Sequence, residues 1–392
     1  MVDATRAPKM SVRGLTRRFG GLVAVNNVDI DLHEGEVHAV IGTNGAGKST
    51  LINMLSGEIA ASSGSITLEG HDVTAMPQPL PEPFQPERLR AGLRPLAAAL
   101  AAPTDEVQAY QRYYGLDLPQ HGRVHSRLGR FQSDGLDLVA QLWLPPEPKA
   151  TLILLHGYYD HMGLYRHVID WALGENLAVL ACDLPGHGLS AGPRASIDDF
   201  AAYQRALQGL FAEAASLDLP QPWHLCGQST GGAILLDFLL LGEKRPEPGA
   251  TILLAPLVRP RAWGLSKLSY HLIGPFRREI PRRFSENSTD AAFLDFLRHR
   301  DPLQPRHLPT AWVGALARWI PRLERAPRSP LNPLVVQGED DMTVDWRHNL
   351  QVLQDKFDQP QILRLPGARH HLVNEHEDIR RRYFAFLSER LR

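Results

Sequence analysis

Hydrophobic and polar positions follow two different patterns along the 392 residues of the chain. From about residue 122 onward, short apolar runs alternate with segments whose apolar residues recur at helical spacing. The apolar runs predict strands buried on both faces, and they read ATLILLHG, LAVLACDLPG, PWHLCGQS, ATILLAPLV, PLVVQGED and QILRLPGA. This alternation predicts an α/β fold with a mostly parallel sheet covered by helices on both faces, and active residues at the carboxyl ends of the strands.

The first 75 residues show a weaker pattern of short strand-like runs and one helical run. The run EVHAVIG predicts a strand that leads into a glycine-rich loop, and STLINMLSG predicts the helix that follows. Six of the 20 residues from 76 to 95 are proline, which predicts a linker or an extended arm. The predicted domains are therefore an N-terminal segment (1–75), a proline-rich linker or arm (76–121) and a large domain (122–392).

Composition narrows the class of protein. With 42 Lys and Arg against 43 Asp and Glu, the chain carries almost no net charge, so no nucleic-acid partner is expected. No run approaches the roughly 20 apolar residues of a membrane span, and the N-terminal residues lack the apolar core of a signal peptide. The only cysteines, Cys182 and Cys226, lie in apolar runs, which favours reduced thiols in a cytoplasmic protein.

The stretch VIGTNGAGKST matches the phosphate-binding motif G-x-x-x-x-G-K-[ST]. Backbone N–H groups of such a loop cradle phosphates at a helix N-terminus, the Lys reaches the β- and γ-phosphates, and the Ser hydroxyl holds Mg²⁺. The candidate nucleotide-binding residues are Gly42, Asn44, Gly45, Gly47, Lys48, Ser49 and Thr50.

On these residues, the segment from about 10 to 75 resembles the start of an ABC transporter ATP-binding subunit, with Phe19 where that family stacks an aromatic ring on adenine. The family continues with an LSGGQ-type signature and a Walker B strand ending in Asp-Glu, and neither motif occurs in this sequence. Without the carboxylates that hold Mg²⁺ and the attacking water, the loop cannot complete a hydrolytic transition state. We therefore expect a truncated fragment that can bind ATP and Mg²⁺ without turnover and that engages no transporter membrane subunit. A nucleotide-binding transporter component is the alternative.

Two G-x-S-x-G sequences compete for the role of a nucleophile elbow. GQSTG follows the strand-like PWHLC and precedes the helical GAILLDFLLL, so Ser229 sits on a predicted strand–turn–helix. GLSAG, with Ser190, has no strand directly before it and no helix directly after it. Ser229 is therefore the predicted nucleophile and Ser190 a bystander.

A serine nucleophile needs a base and an orienting carboxylate, and in this type of fold the order along the chain is Ser, acid, His. The loop VVQGEDDMTVD offers Asp340, Asp341 and Asp345, and the loop LRLPGARHHLVNE offers His370 and His371. Either imidazole satisfies the order, so the residues alone leave this choice open.

These motifs make residues from about 122 onward similar to the monoacylglycerol lipase and lysophospholipase group of the α/β-hydrolase superfamily. The group's G-x-x-D motif falls on Asp341 and its G-A-x-H motif on His370, which implies a triad of Ser229, His370 and Asp341, with Asp345 shaping the pocket. Its HG-x-x-[DE]-H motif matches HGYYDH, residues 156–161. The resemblance implies an oxyanion hole formed by the backbone N–H groups of Tyr158 and Thr230. We expect His156 to be a structural hydrogen-bonding residue, not a catalytic one.

An insertion of about seventy residues (259–328) lies where this superfamily places its lid, so the implied architecture is an α/β-hydrolase with a helical lid. The insertion is rich in aromatic residues and carries 14 Lys and Arg against 6 Asp and Glu. Arginines among aromatic residues suit a lipid ester substrate, or peripheral contact with an anionic membrane. An ordinary solvated arginine face is the alternative.

The sequence therefore predicts a serine carboxylester hydrolase of the monoacylglycerol lipase or lysophospholipase type, which forms an acyl-enzyme and requires no cofactor. The 17 histidines show no metal-binding spacing, so no metal site is expected. A thioesterase or a small-ester esterase with the same triad is the catalytic alternative.

Overall fold

The structure, a computed structural model, describes residues 8–19, 22–36, 38–43, 46–57, 59, 61–74, 84–99, 102–242, 246–274 and 276–391. The chain divides into two compact units, residues 1–82 and residues 83–392. The first unit contains the glycine-rich loop, and the second contains both G-x-S-x-G sequences.

The described part of the first unit is an antiparallel sheet with one helix. Its strands, in the order β2-β1-β3-β4, and its helix are β1 (Met10–Phe19), β2 (Leu22–Leu32), β3 (Ser63–Leu68), β4 (His71–Asp72) and α1 (Lys48–Leu55). Its small apolar core comprises Val12, Leu15, Val25, Leu51, Met54 and Ile66.

The strand predicted before the glycine-rich loop does not form. Residues 38–43 carry no strand assignment, and Ile41 is 91% exposed. An apolar strand is stable only beside neighbours that pair its backbone and cover its side chains. The described part of the first unit places no such neighbour beside residues 38–43, which explains why the prediction is wrong here.

The second unit is built on an eight-stranded sheet in the order β14-β13-β10-β9-β7-β8-β6-β5. Strands β7 to β10, β13 and β14 pair in parallel, and β6 pairs antiparallel with β5 and β8, so the predicted mostly parallel sheet is confirmed. The strands of this unit, including the separate pair β11–β12, are β5 (His125–Ser133), β6 (Leu136–Leu144), β7 (Ala150–Leu155), β8 (Leu177–Cys182), β9 (Trp223–Gln228), β10 (Thr251–Leu254), β11 (Glu279–Pro281), β12 (His307–Pro309), β13 (Leu334–Gly338) and β14 (Gln361–Leu365).

Helices cover both faces of this sheet, which is why strands β7 to β10 and β13 are buried at every position. Two large apolar clusters form the core of the unit. The helices are α2 (Pro86–Gly92), α3 (Asp105–Tyr114), α4 (Arg166–Gly174), α5 (Ala201–Ser216), α6 (Thr230–Leu241), α7 (Trp263–Ile273), α8 (Ala291–His299), α9 (Thr310–Arg325), α10 (Trp346–Lys356) and α11 (Glu377–Arg390). No helix in the described ranges is both long enough and apolar enough to cross a membrane.

The structure differs from the predicted linker or arm for residues 84–121. These residues contain α2 and α3 and belong to the second unit, which begins at residue 83 instead of 122. Phe84, Tyr110 and Tyr114 are buried in its core and pack edge to face against one another. The proline content predicted an extended segment, but Pro86 occupies the first turn of α2, where proline is compatible with a helix.

The lid lies between β10 and β13 and consists of α7, α8, α9 and the short pair β11–β12. Its buried anchor is Asp301, which accepts hydrogen bonds from Tyr114 Oη (2.7 Å) and Gln304 Nε2 (2.8 Å). His161 Nε2 lies 3.0 Å from the same carboxylate, and neither side chain is exposed. Burial is the largest influence on the pKa of His161 and lowers it, but the charge and hydrogen bond of Asp301, together with the charges of Asp183 and Asp160, outweigh burial and raise the pKa. The contact therefore favours the charged imidazole, and it joins α3, the HGYYDH loop and the lid.

Candidate active site

Ser229 stands at the sharp turn between β9 and α6. It has φ 52° and ψ −109°, a strained conformation for a residue with a side chain. The turn is crowded enough to require glycine, because a Cβ at Gly231 would lie 2.3 Å from the carbonyl oxygen of Leu155. The Ser229 amide donates to Leu254 O of the neighbouring strand at 2.8 Å. This geometry is that of a nucleophile elbow at the carboxyl end of a central strand.

The structure places the three predicted catalytic side chains in one hydrogen-bonded chain. His370 Nε2 lies 2.9 Å from Ser229 Oγ, and His370 Nδ1 lies 2.7 Å from Asp341 Oδ2. Asp341 follows β13 and His370 follows β14, so the two loops meet beside the elbow at the carboxyl ends of the strands. Because the carboxylate can only accept at Nδ1, that nitrogen carries the proton and Nε2 is free to accept from the serine hydroxyl.

Asp341 is held as a buried carboxylate. Its Oδ1 accepts from the amides of Thr343 (2.8 Å) and Val344 (3.1 Å), and its Oδ2 accepts from Gln337 Nε2 (3.1 Å). Burial raises the pKa of Asp341, but the charge and hydrogen bond of His370 and the two amides outweigh it, so the pKa lies below its ordinary value. Asp341 therefore stays ionised while it orients the imidazole.

Tyr158 and Thr230, predicted for the oxyanion hole, line the same cavity as Ser229 and His370. Thr230 is the first residue of α6, so its amide has no acceptor within the helix. Tyr158 is fixed by its hydroxyl, which donates to Ala195 O at 2.8 Å, and by its ring, which stacks on Trp312 at 3.7 Å. Backbone donors of this kind, fixed beside a nucleophile, can stabilise the oxyanion of a tetrahedral intermediate.

Three neighbouring polar residues have structural contacts instead. Ser190 Oγ donates to Asp183 O (2.6 Å) and accepts from the Val139 amide (2.8 Å), so the second G-x-S-x-G serine is buried in a turn. His156 accepts from the Leu184 amide at Nε2 (2.9 Å) and lies 2.7 Å from Gly157 O at Nδ1. Asp345 is exposed and caps α10, so it does not shape the pocket as predicted.

His371, the competing imidazole, contacts a different carboxylate. Its Nε2 lies 3.1 Å from Asp160 Oδ2, close enough for an ion pair although neither ring nitrogen is aligned for a hydrogen bond. Asp160 also accepts from Tyr165 Oη at 2.9 Å. Because His371 is engaged with Asp160, only His370 is placed to serve Ser229.

The cavity around Ser229 has a volume of about 280 Å³ and two chemically different ends. One end is apolar, and its residues Pro260, Leu308 and Trp312 also line a second cavity of about 380 Å³ at α7 and α9. The other end is polar and is lined by Tyr159, Asp160, Arg282, Arg283, Asn287 and His371. Sequence reasoning missed Arg282 as a site residue, because the only signal was the general excess of arginine in the lid.

The nucleotide-binding candidates belong to the first unit. Gly47 has φ 82°, and a Cβ there would lie 2.0 Å from Ala24 O, so the loop requires glycine at that position. Lys48 Nζ donates to Gly42 O and Thr43 O, both at 2.8 Å. Ser49 and Thr50 lie in the first turn of α1, whereas Asn44 and Gly45 lie outside the described residues. Among the residues that the structure does describe, no group of His, Cys, Asp or Glu is placed to hold a metal ion.

Solved structures similar to this chain share its fold. A soluble variant of monoglyceride lipase from Saccharomyces cerevisiae, in complex with a substrate analog, is 18% identical with a TM-score of 0.59 and covers 69% of this chain and 97% of its own. The monoacylglycerol lipase of Paleococcus ferrophilus is 17% identical with a TM-score of 0.53 and covers 69% of this chain and 98% of its own. At such low identity the likeness shows the α/β-hydrolase fold alone.

A curated relative of different character is the arabinose import ATP-binding protein AraG of Escherichia coli, 31% identical over 185 residues. That match covers 47% of this chain and 34% of the relative, so the chain spans about a third of its length. The ABC transporter family matches residues 25–98, which confirms a partial ABC segment near the N-terminus.

The hydrolase unit matches a family across most of its length. The family described as serine aminopeptidase, S33, matches residues 146–377, from the region of β7 to the start of α11. That range contains the elbow, both loops of the catalytic line and the lid. It is more than half of the 392 residues, and the chain therefore belongs to the serine aminopeptidase, S33, family of α/β-hydrolases.

Proposed function

We propose that this protein is a serine carboxylester hydrolase that cleaves esters of single-chain lipids, of the monoacylglycerol lipase or lysophospholipase type. The observation that carries the proposal is the line Ser229–His370–Asp341, with contacts of 2.9 and 2.7 Å, at the junction of an apolar and a polar cavity end. A single-chain lipid ester has the same two ends, so its acyl chain fits the apolar cavity and its alcohol the polar one.

The reaction runs through an acyl-enzyme. Ser229 Oγ attacks the ester carbonyl while His370 Nε2 takes its proton, and Asp341 stabilises the imidazolium that forms. The amides of Tyr158 and Thr230 donate to the oxyanion. When the tetrahedral intermediate collapses, the alcohol leaves with the proton from His370. Water then attacks the acyl-Ser229 ester with His370 again as base, which releases the fatty acid and restores the serine.

The polar end also argues against an aminopeptidase-type substrate, despite the name of the family. Such a substrate presents a free ammonium group, which needs an unpaired carboxylate to bind it. Asp160 already contacts His371 and Tyr165, and the cationic Arg282 and Arg283 line the same end. A thioesterase or small-ester esterase with the same triad remains the alternative, and substrate length distinguishes it, because the second apolar cavity is useful only to a long chain.

We propose peripheral contact between the lid and an anionic membrane, in a cytoplasmic protein. Along α7, Leu265, Leu268 and Leu272 are 69%, 56% and 64% exposed, and their spacing places them on one face. Arg277 and Arg278 follow the helix and can meet anionic headgroups. Co-sedimentation with phosphatidylglycerol vesicles, but not with phosphatidylcholine vesicles, is the expected result.

For the first unit we propose that ATP with Mg²⁺ can bind without being hydrolysed. The loop at Gly47 and Lys48 offers a phosphate cradle, and the sequence lacks a Walker B carboxylate. A role as a transporter component would require a membrane subunit as partner, which we do not propose.

The test of the main proposal is covalent labelling with a fluorophosphonate, followed by peptide mapping and by assays on esters of increasing acyl length. Label on Ser229, its loss in Ser229→Ala, and faster cleavage of long-chain monoacylglycerols or lysophospholipids than of acetyl esters are expected. Ser190→Ala, the control in the other G-x-S-x-G sequence, should keep the label. Label on Ser190, or a preference for short acyl chains or thioesters, would contradict the proposal.

A further inference from the structure

Arg282 is a lid residue at the polar end of the cavity that contains Ser229. Its guanidinium lies 4.0 Å above the ring of Tyr159 and 4.3 Å from that of Phe284. One nitrogen, Nη1, donates to Gln304 Oε1 at 2.6 Å and to Pro305 O at 3.2 Å. Within the described residues, no carboxylate lies at ion-pair distance from Arg282, so rings and neutral oxygens alone hold this cation.

The environment of Arg282 disfavours its charge. Burial is the main influence on the pKa of Arg282 and lowers it, although the group stays protonated because arginine titrates far above neutral pH. A partly buried cation without a counter-ion is costly to the folded protein. Its planar fork has five N–H donors, and among the described residues only its Nη1 has hydrogen-bond partners, so donors remain for an anion that enters the cavity.

Burial lowers the pKa of Arg282 more than the charge of the cavity carboxylate Asp160 raises it. The nearest cavity carboxylate, Asp160, contacts His371 at 3.1 Å and Tyr165 Oη at 2.9 Å. Arg283 lines the same end and adds a second positive charge at the exposed side. Asn287 contributes a buried Oδ1 that has no donor. The residues that line the polar end thus include donors for an anion and an acceptor for a hydroxyl group.

We propose that Arg282 binds an anionic group, a phosphate or a carboxylate, on the alcohol part of the substrate, and so selects anionic single-chain esters over neutral ones. This inference rests on the proposed function, since it assumes that the alcohol occupies the polar end. Asn287 Oδ1 would accept from a hydroxyl next to that anion.

Three esters with the same lauroyl chain test the selection: lauroylglycerol, lauroylglycerol 3-phosphate and lauroylglycerate. For the wild type, kcat/KM should be at least about tenfold higher for an anionic ester than for lauroylglycerol. Comparison of the phosphate ester with the carboxylate ester shows which anion the polar end binds more tightly. In Arg282→Gln, the anionic-to-neutral ratio of kcat/KM should fall by about tenfold to a hundredfold, mainly through KM. The ratio for Arg282→Lys should lie between those of the wild type and Arg282→Gln, because lysine keeps the positive charge and loses the planar set of donors.

The matched control is Arg306→Gln. Arg306 stacks on the same Phe284, at 5.2 Å, and donates to Arg298 O, but it does not line the cavity. Its ratio should stay within about twofold of the wild type. A wild-type ratio near one, or an equal drop in Arg306→Gln, would overturn the inference. If the wild type cleaves none of the three esters and Ser229 resists the fluorophosphonate, the proposed function itself fails, and the inference fails with it.

A measurement on the wild type alone covers the case in which Arg282→Gln does not fold. Hydrolysis of p-nitrophenyl butyrate is followed in the presence of glycerol 3-phosphate or of glycerol at the same concentration. Glycerol 3-phosphate should inhibit competitively and less strongly as salt is raised, while glycerol should inhibit at least about tenfold more weakly. Equal inhibition by the two would refute anion binding at the polar end.

Discussion

Replacing Asp341 by Asn tests the catalytic line directly, because the two side chains have nearly the same shape. Asp341 Oδ1 accepts from the amides of Thr343 and Val344, which can donate only to an oxygen. The Asn oxygen must therefore take the Oδ1 position, and its NH₂ group must face His370 Nδ1, 2.7 Å away. That NH₂ group donates where the carboxylate accepted, so the proton of the imidazole moves to Nε2.

A proton on Nε2 removes the acceptor for the hydroxyl of Ser229, which lies 2.9 Å away. Gln337 Nε2, 3.1 Å from Oδ2, would also meet a donor instead of an acceptor. The same replacement lowers kcat about 10⁴-fold in a serine protease. We therefore expect a loss of about 10³- to 10⁴-fold, which corresponds to about 4–5.5 kcal/mol of transition-state stabilisation at about 1.36 kcal/mol per factor of ten.

The assay is kcat for a p-nitrophenyl ester, with enzyme folding checked by urea denaturation. Asp345→Asn is the matched control: Asp345 is exposed and accepts from the His348 amide at the start of α10, and Asn caps a helix as well as Asp does. It should keep kcat within about threefold of the wild type. Activity above about a tenth in Asp341→Asn, or a larger loss in Asp345→Asn, would refute the reasoning.

The same variant makes a prediction about pH. The pKa of Asp341 is lower in the folded protein than its ordinary value of 3.8, so this carboxylate stabilises the fold above that value and loses its effect as pH falls through the folded pKa. The difference in unfolding free energy between the wild type and Asp341→Asn should therefore shrink below about pH 4. A difference that stays constant down to about pH 2 would contradict the lowered pKa.

Three further predictions concern other parts of the chain. His370→Ala should lower kcat by several orders of magnitude, whereas His371→Ala should cost much less, because only His370 contacts Ser229; the reverse ranking in ester assays would contradict the assignment. Burial lowers the pKa of His187 to about 3, so below about pH 6.5 the unfolded chain binds a proton that the folded chain does not, and the free energy of unfolding decreases as the pH is lowered. In urea titrations, His187→Gln should make that decrease shallower by up to about 1.4 kcal/mol per pH unit. Equal slopes for the two proteins would count against the lowered pKa. Lys48→Ala should weaken binding of a fluorescent ATP analogue and leave ester hydrolysis unchanged, with no ATP turnover in either protein; esterase activity that depends on ATP and is lost in the variant would show that the first unit is regulatory.

Local sequence patterns predicted the features that depend on residues close together in the chain, namely the strands and the nucleophile elbow. The apolar runs predicted the parallel strands because those strands are covered by helices on both faces. The context of GQSTG also separated Ser229 from Ser190, since only a strand followed directly by a helix makes the strained turn. The same local reasoning failed at EVHAVIG, where an apolar run lacks the partners that a strand requires, and at residues 84–121, where proline content concealed two packed helices.

Contacts between distant parts of the chain were beyond the reach of the sequence. Asp301 and His161 are separated by 140 residues, and Tyr114 and Asp301 by 187. No spacing rule predicts such pairs, because each depends on how the lid folds over the sheet. Arg282 illustrates the same limit: its charge was counted in the lid, but only the fold shows that it lines the same cavity as Ser229 with no carboxylate of the described residues at ion-pair distance.

The buried pair of Asp301 and His161 determines which part of the lid can open. Separating it would leave one or both charges buried without a partner, which costs about 3–5 kcal/mol, and would also break the bond from Tyr114. The lid segment at Asp301, which follows α8, is therefore held to the HGYYDH loop that contains Tyr158. Within the described residues, no comparable buried ion pair holds helix α7, whose leucines face outward. If the chain cleaves lipid esters as proposed, substrate entry should therefore displace α7 while the HGYYDH loop keeps its geometry.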